Sequence, residues 1–228
     1  RLMTAHVLHA IAMLDSDAGR HDAALATQRR VMALLAELGG ARVLVAQELG
    51  QMLRVAGQPT RAAQEMKLQL AACDAQTLGH ERSMLLGRLA AAELDLGELD
   101  AADRHACEAR AVNTEGALPM WDATLTLLSC RIDLRLARPE AAWDRLVHAA
   151  AAVRRADVPA LRQQLALHAA LWLHGTGRGA QAARLLSGLL RQPGLDQPTL
   201  REARALALAG GAHAEADADA GPAPDLMT

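Results

Sequence analysis

The chain is predicted to be an all-α solenoid of about five helix-turn-helix repeats closed by a C-terminal capping helix. Three columns of residues in register predict it. A small residue followed five positions later by Ala recurs at Gly19–Ala24, Gly57–Ala62, Gly97–Ala102, Ala137–Ala142 and Gly177–Ala182, with starts separated by 38, 40, 40 and 40 residues. Seven positions before each start stands another small residue: Ala12, Gly50, Ala90, Cys130 and Ala170. Self-similarity at a fixed period of this length marks a stack of supersecondary units.

Each unit reads as helix A, a tight turn, helix B and a longer loop. The turn glycine supplies the positive φ that ends helix A. Pro59 and Pro139 sit two residues after their turn residues, where a helix begins and its first N–H groups have no intrahelical acceptor. Pro119 and Pro159 lie one repeat apart, just ahead of helix A in the fourth and fifth units. Helix A of the second unit is expected over Arg42–Ala56, with Val45, Leu49, Met52 and Leu53 on one face. Helix B of the third is expected over Asp100–Val112, with Ala102, Ala106 and Ala109 on one stripe. Small columns on both helices permit a close crossing, because bulky side chains there hold helices apart. Units are placed near residues 3–38, 41–78, 81–116, 121–157 and 160–192, a capping helix near 199–209, and a disordered Ala/Asp/Pro-rich tail over 211–228.

Composition excludes several functions. Aromatic content is 1%, three Trp without Phe or Tyr, which removes the rings on which nucleic-acid platforms stack bases. A net charge of −2 gives no general attraction to nucleic acid or anionic membrane, and no apolar run reaches the length that spans a bilayer. The single Lys, Lys67, leaves no P-loop or Schiff-base candidate beyond it. Three unclustered Cys make a reducing, cytoplasmic setting the expectation. The first residue is Arg, consistent with a segment of a longer polypeptide.

No constellation of side chains predicts catalysis, a cofactor or a metal. His6 and His9 are i, i+3 on the first helix without an evident third ligand, and read as solvent-facing or groove-lining. His105 and Cys107 point to opposite sides of a helix, and Cys130 reads as a small core residue. The stretch His174–Gly179 follows a helix rather than a strand and reads as a turn, not a phosphate loop. Trp121, Trp143 and Trp172 share no repeat position and read as packing residues. Glu93, Asp95, Glu98 and Asp100 surround a turn and read as a solvated edge.

The segments LGQMLRVAGQPTRAA (Leu49–Ala63) and LAAAELDLGELDAA (Leu89–Ala102) resemble the Leu-small…Gly…Ala signature of the tetratricopeptide repeat (TPR) family. HEAT and armadillo repeats have this length without demanding the Gly-x4-Ala turn. The repeat exceeds the family's usual 34 residues, and the family's aromatic positions hold Asp15, Leu53, Glu93, Asp133 and Leu173. The longer unit is similar to the variant in regulatory regions of bacterial transcription activators and signalling proteins. The resemblance implies a right-handed superhelix whose A helices line a concave groove.

Carried over by register, the groove residues the resemblance implies are His9 and Met13 in the first unit, Gln47, Gln51 and Arg54 in the second, and Met84 and Asp95 in the third. Leu127, Arg131 and Arg135 follow in the fourth, Gln164 and Leu171 in the fifth. The Lys and Asn of the family's chaperone-tail clamp are absent from these positions. Arg holds carboxylates bidentately and Met adapts to apolar side chains. The expected role is therefore a non-enzymatic scaffold for a protein or peptide with acidic and apolar residues, within a larger bacterial signalling or transcription-regulating protein. The alternative is a sensor for a small ligand or signalling peptide. Self-association through an uncapped end is compatible with either, with no direct nucleic-acid or membrane contact.

Overall fold

The computed structural model describes residues 1–38, 43–73, 77–113, 119–195 and 197–211, and these contain helices without strands. The chain divides into two compact units. The first, Arg1–Ala117, contains α1 (Leu2–Asp17), α2 (His21–Glu37), α3 (Val43–Val55), α4 (Pro59–Ala71), α5 (Gly79–Leu96) and α6 (Leu99–Val112). The second, Leu118–Thr228, contains α7 (Pro119–Arg135), α8 (Pro139–Ala156), α9 (Pro159–Gly175), α10 (Gly179–Leu190) and α11 (Gln197–Gly211).

Odd-numbered helices are the A helices, and α1, α3, α5, α7 and α9 each pair with the B helix that follows. In the first unit α2 also packs on α3 and α4 on α5, while α3 touches α1 and α5, so the A helices form one row. In the second unit α8 packs on α9 and α10 on α11, and α9 touches α7 and α11. Thus α11 stands where a further A helix would, over the open side of α10, as expected of a cap. It runs longer than the sequence pattern implied, through Gly210 and Gly211. The expected start of α3 at Arg42 and the tail beyond Gly211 lie outside the described residues.

Both small columns are buried. Ala24, Ala62, Ala102 and Ala142 have no exposed surface and Ala182 almost none; Ala12, Ala90, Cys130 and Ala170 are equally enclosed. At Gly50 a Cβ would lie 2.8 Å from Met66 Cε and 2.9 Å from its Sδ, so the end of the Met66 side chain of α4 fills the space that a side chain on α3 would take. Larger residues then fill the space beside each crossing. Leu49, Met52, Leu53, Met66, Leu85 and Leu89 build the core of the first unit, and Leu127, Leu146, Val153, Leu161 and Leu165 the main core of the second.

The five A-to-B turns share one hydrogen-bond pattern. The N–H groups of Arg20, Gln58, Glu98, Arg138 and Arg178 donate to the carbonyls of Asp15, Leu53, Glu93, Asp133 and Leu173. This six-to-one bond is the Schellman closure of a helix C-terminus. The carbonyls of the same five donors then accept the N–H of the column alanines, Ala24 through Ala182, opening helix B. The residue before each donor must be left-handed: Gly19, Gly57, Gly97 and Gly177 have φ of 72° to 79°, and Ala137 is held at φ 55°. An L side chain in this region costs about 1–2 kcal/mol, which the fourth unit bears because the flanking helices fix the turn. Ala137→Gly is expected to raise stability by about 1 kcal/mol, net of glycine's greater freedom in the unfolded chain. Urea unfolding of the two proteins measures this difference.

Candidate functional site

Helix periodicity brings every fourth residue of an A helix to the same side, so adjacent A helices present a joint polar layer. In the first unit that layer centres on Arg88 of α5. Its Nε donates to Gln47 Oε1 at 2.9 Å, its Nη1 donates to Gln51 Oε1 at 3.1 Å, and its Nη2 lies 3.7 Å from Glu48 Oε1. Arg54 Nη1 donates to the same Gln51 oxygen at 2.8 Å, and Arg54 Nε donates to Asp95 Oδ2 at 2.8 Å. Burial lowers the Arg88 pKa from its ordinary value; Glu48 opposes this and Arg54 adds to it. Gln47, Gln51, Arg54 and Asp95 are therefore brought together. The centre of the cluster, Arg88, was not among the expected residues. Its partners Gln47 and Gln51, 41 and 37 residues away, reveal it.

At the start of the same row, His9 Nδ1 donates to Gln28 Oε1 at 3.1 Å, and Gln28 Nε2 donates to the carbonyl of Val45 at 2.9 Å. This chain ties α1, α2 and α3 together through a fully buried amide. Met13 is half-buried and packs on the core that includes Ala12, Ala24 and Leu49. Met84 and Leu127 are buried residues and offer a partner no surface in this conformation.

In the second unit Arg131 of α7 forms a bidentate pair with Glu202 of α11, with N–O distances of 2.6 and 3.0 Å. The pair joins two A helices that each pack on α9. On α9, His168 is buried and its Nδ1 donates to the carbonyl of Gln164 at 2.7 Å. Gln164 and Leu171 are half-buried, whereas Arg135 is exposed and has no ion pair among the described residues. Of the two arginines expected to meet an acidic partner in this unit, one is engaged internally and one is open.

One expectation is corrected. Glu93 does not belong to a solvated edge: its side chain is 1% exposed. Lys67 Nζ lies 3.5 Å from Oε1, and His105 Nδ1 is 2.6 Å from Oε2. Asp133, one repeat on, is buried between Arg138 and Arg145 at 3.6 and 3.5 Å, and Asp15 is held by Arg20 at 2.7 Å. In three of five repeats the family's aromatic position is thus an acid neutralised by cations. A buried carboxylate is tolerable only with such partners.

The remaining sequence candidates have structural roles. Trp143 and Trp172 stack with centroids 4.6 Å apart, Trp172 Nε1 donates to the carbonyl of Pro139 at 2.8 Å, and Arg178 lies over the Trp172 ring. Burial and the charge of Asp133 push the Cys130 thiol up to about 12, which suppresses the thiolate needed for redox or nucleophilic chemistry. His6 is exposed. The stretch His174–Gly179 forms the turn from α9 to α10.

Burial, with the positive charge of Arg131, lowers the His168 pKa to about 4. The unfolded imidazole titrates near 6.5, so the unfolded state takes up a proton that the folded state refuses. Stability from this residue is complete above about pH 6.5 and falls as pH drops toward about 4, by about 3 kcal/mol in all. His168→Gln is expected to remove this part of the acid sensitivity. Urea titrations of both proteins between those pH values measure it as a smaller loss of stability in the variant.

Comparison with known proteins bears on the fold. No protein-family model matches the chain, and no curated protein does. Among solved structures, the chain is similar to the "kinesin light chain nearly identical TPR-like repeats" of Podosopora anserina: 17% identity, TM-score 0.57, covering 88% of this chain and 93% of that one. A single-substitution variant of that same protein superposes with TM-score 0.59 at 17% identity, covering 81% of this chain and 92% of that one. At that identity the likeness concerns architecture: the chain has the fold of TPR-like repeats.

Proposed function

We propose that the chain is a non-enzymatic scaffold that binds a protein or peptide along its rows of A helices. The TPR-like architecture supports this reading, because stacked helical hairpins offer long side-chain-lined surfaces rather than one deep pocket. One cavity bears on the small-ligand alternative. An open cavity of about 210 Å³ is lined by Arg29, Leu49, Leu53, Arg61, Gln64, Glu65 and Leu68. It is smaller than the roughly 300–1,000 Å³ of typical small-molecule sites and contains none of the expected groove residues.

The observation that carries the partner's chemistry is Arg135, an exposed guanidinium at the end of α7 beside the engaged Arg131, with apolar Leu171 one A helix away. An acidic side chain would be held by the free fork while an apolar neighbour lies toward Leu171. In the first unit Gln51, Arg54 and Asp95 offer hydrogen bonds already organised by Arg88, so a peptide meets them at little entropic cost. The 40-residue repeat suggests the regulatory part of a larger bacterial signalling or transcription-regulating protein. Unclustered cysteines suit a cytoplasmic setting. No described helix is long and apolar enough to cross a membrane.

The test is a peptide array of mixed acidic and apolar sequences, followed by fluorescence anisotropy on the best binder. Arg135→Glu is expected to weaken that peptide at least about tenfold, through a lost pair and a new like-charge contact. Equal affinity of the two proteins, or a preference for basic peptides, rejects the assignment.

A further inference from the structure

The open cavity lined from α2, α3 and α4 corresponds to a place that the next repeat fills with its own carboxylate. The repeat register aligns the two. Four positions before the turn residue stand Leu53 in the second repeat and Glu93 in the third. Ten positions after the preceding turn residue stand Arg29 and Lys67, and eight after the repeat's own turn residue stand Glu65 and His105. In the third repeat these positions close on one another: Glu93 is buried, with Lys67 Nζ 3.5 Å from one carboxylate oxygen and His105 Nδ1 2.6 Å from the other. In the second repeat Leu53 supplies no carboxylate, and Arg29, Leu53 and Glu65 instead line the cavity of about 210 Å³. Arg29 has no ion pair among the described residues. Arg61, also on the cavity wall, donates to Gln58 Oε1 at 2.6 Å and likewise holds no carboxylate among the described residues. Glu65 stands one turn from Arg61 on α4 and accepts from Gln69 Nε2 at 2.8 Å, which leaves carboxylate lone pairs open. Leu49 and Leu53 are buried and form the floor, and exposed Leu68 stands at the rim.

We propose that this cavity binds a free α-amino acid with an apolar side chain of about leucine size. Arg29 and Arg61 hold the ligand's carboxylate, which takes the part that Glu93 has beside Lys67. Glu65 faces the ammonium group. A carboxylate where the third repeat has His105 repels a plain carboxylic acid and favours a zwitterion, so the rim selects by repulsion as well as attraction. The leucine floor receives the side chain and removes its apolar surface from water. Volume agrees with this ligand. A cavity of about 150 Å³ holds benzene, so one of about 210 Å³ holds a ligand about two or three heavy atoms larger. That suits a single amino acid and falls short of a drug-sized molecule. The cavity shares no residue with the expected A-helix groove, so this site and the peptide reading can fail separately.

Isothermal titration calorimetry of the 228-residue chain with L-leucine tests the proposal. One leucine per chain is expected to bind, with Kd below about 1 mM. L-leucinamide, which lacks the carboxylate, and isocaproate, which lacks the ammonium group, should each bind at least about tenfold more weakly. Arg29→Gln with Arg61→Gln, both at exposed positions, should weaken leucine at least about tenfold and leave the helical circular dichroism unchanged. Glu65→Gln should move two ligands in opposite directions, weakening leucine and strengthening isocaproate by about threefold or more each. A merely structural role for Glu65 would shift both the same way. Absence of leucine binding at up to about 20 mM overturns the proposal. Leucine binding that survives the double arginine substitution overturns it as well, as does isocaproate or leucinamide binding as tightly as leucine.

Discussion

The close crossing of each A helix with its B helix is the constraint on which the remaining structure depends. Methyl-sized side chains at both crossing columns let the backbones approach, and that distance fixes how the flanking Leu, Met and Val side chains interlock. A crossing also sets where the turn must lie. The six-to-one closure and the bond from the column alanine's N–H meet at one shared residue, and the residue just before it must be left-handed whatever its identity. The fourth unit shows the order of precedence: geometry imposes a positive φ on Ala137, and the side chain bears the strain.

Much of this was legible because it is local or periodic. Small residues twelve apart in each hairpin, prolines at helix starts and glycine at the turns act over one or two helical turns, so the chain alone displays them. The environment of the acids in the turn windows was not legible. Glu93 lies amid Asp95, Glu98 and Asp100, and composition in that window says surface. Its burial is decided by Lys67, 26 residues earlier on α4, and His105, 12 residues later on α6. Similarly, the register assigns Arg131 to a groove by position alone; its pairing with Glu202, 71 residues away, follows from the placement of α11 and has no local signature.

These long-range pairs change what the A-helix rows can do. A row rich in Arg and Gln looks on paper like a set of free donors. In the folded chain Arg88 and Arg54 are committed to Gln47, Gln51, Glu48 and Asp95, and Arg131 to Glu202. Such networks hold the row in one arrangement and leave a few open groups, Arg135 above all, to set partner preference. Organisation and recognition are thus divided among neighbouring arginines of the same type. The buried acids at the turns act in the same sense, tying helix A to helix B by charge where an aromatic ring would do so by packing alone.

The most direct measurement of the close-crossing constraint compares two alanines on one helix, Ala102 in the buried column and Ala111 on the exposed side of α6. Equilibrium urea unfolding of Ala102→Leu should show a loss of about 2–3 kcal/mol from overpacking at the crossing. Ala111→Leu should stay within about 0.5 kcal/mol of the parent. Equal and small effects at the two positions would mean that the helices do not need the small column to pack, and the account built on it would fail.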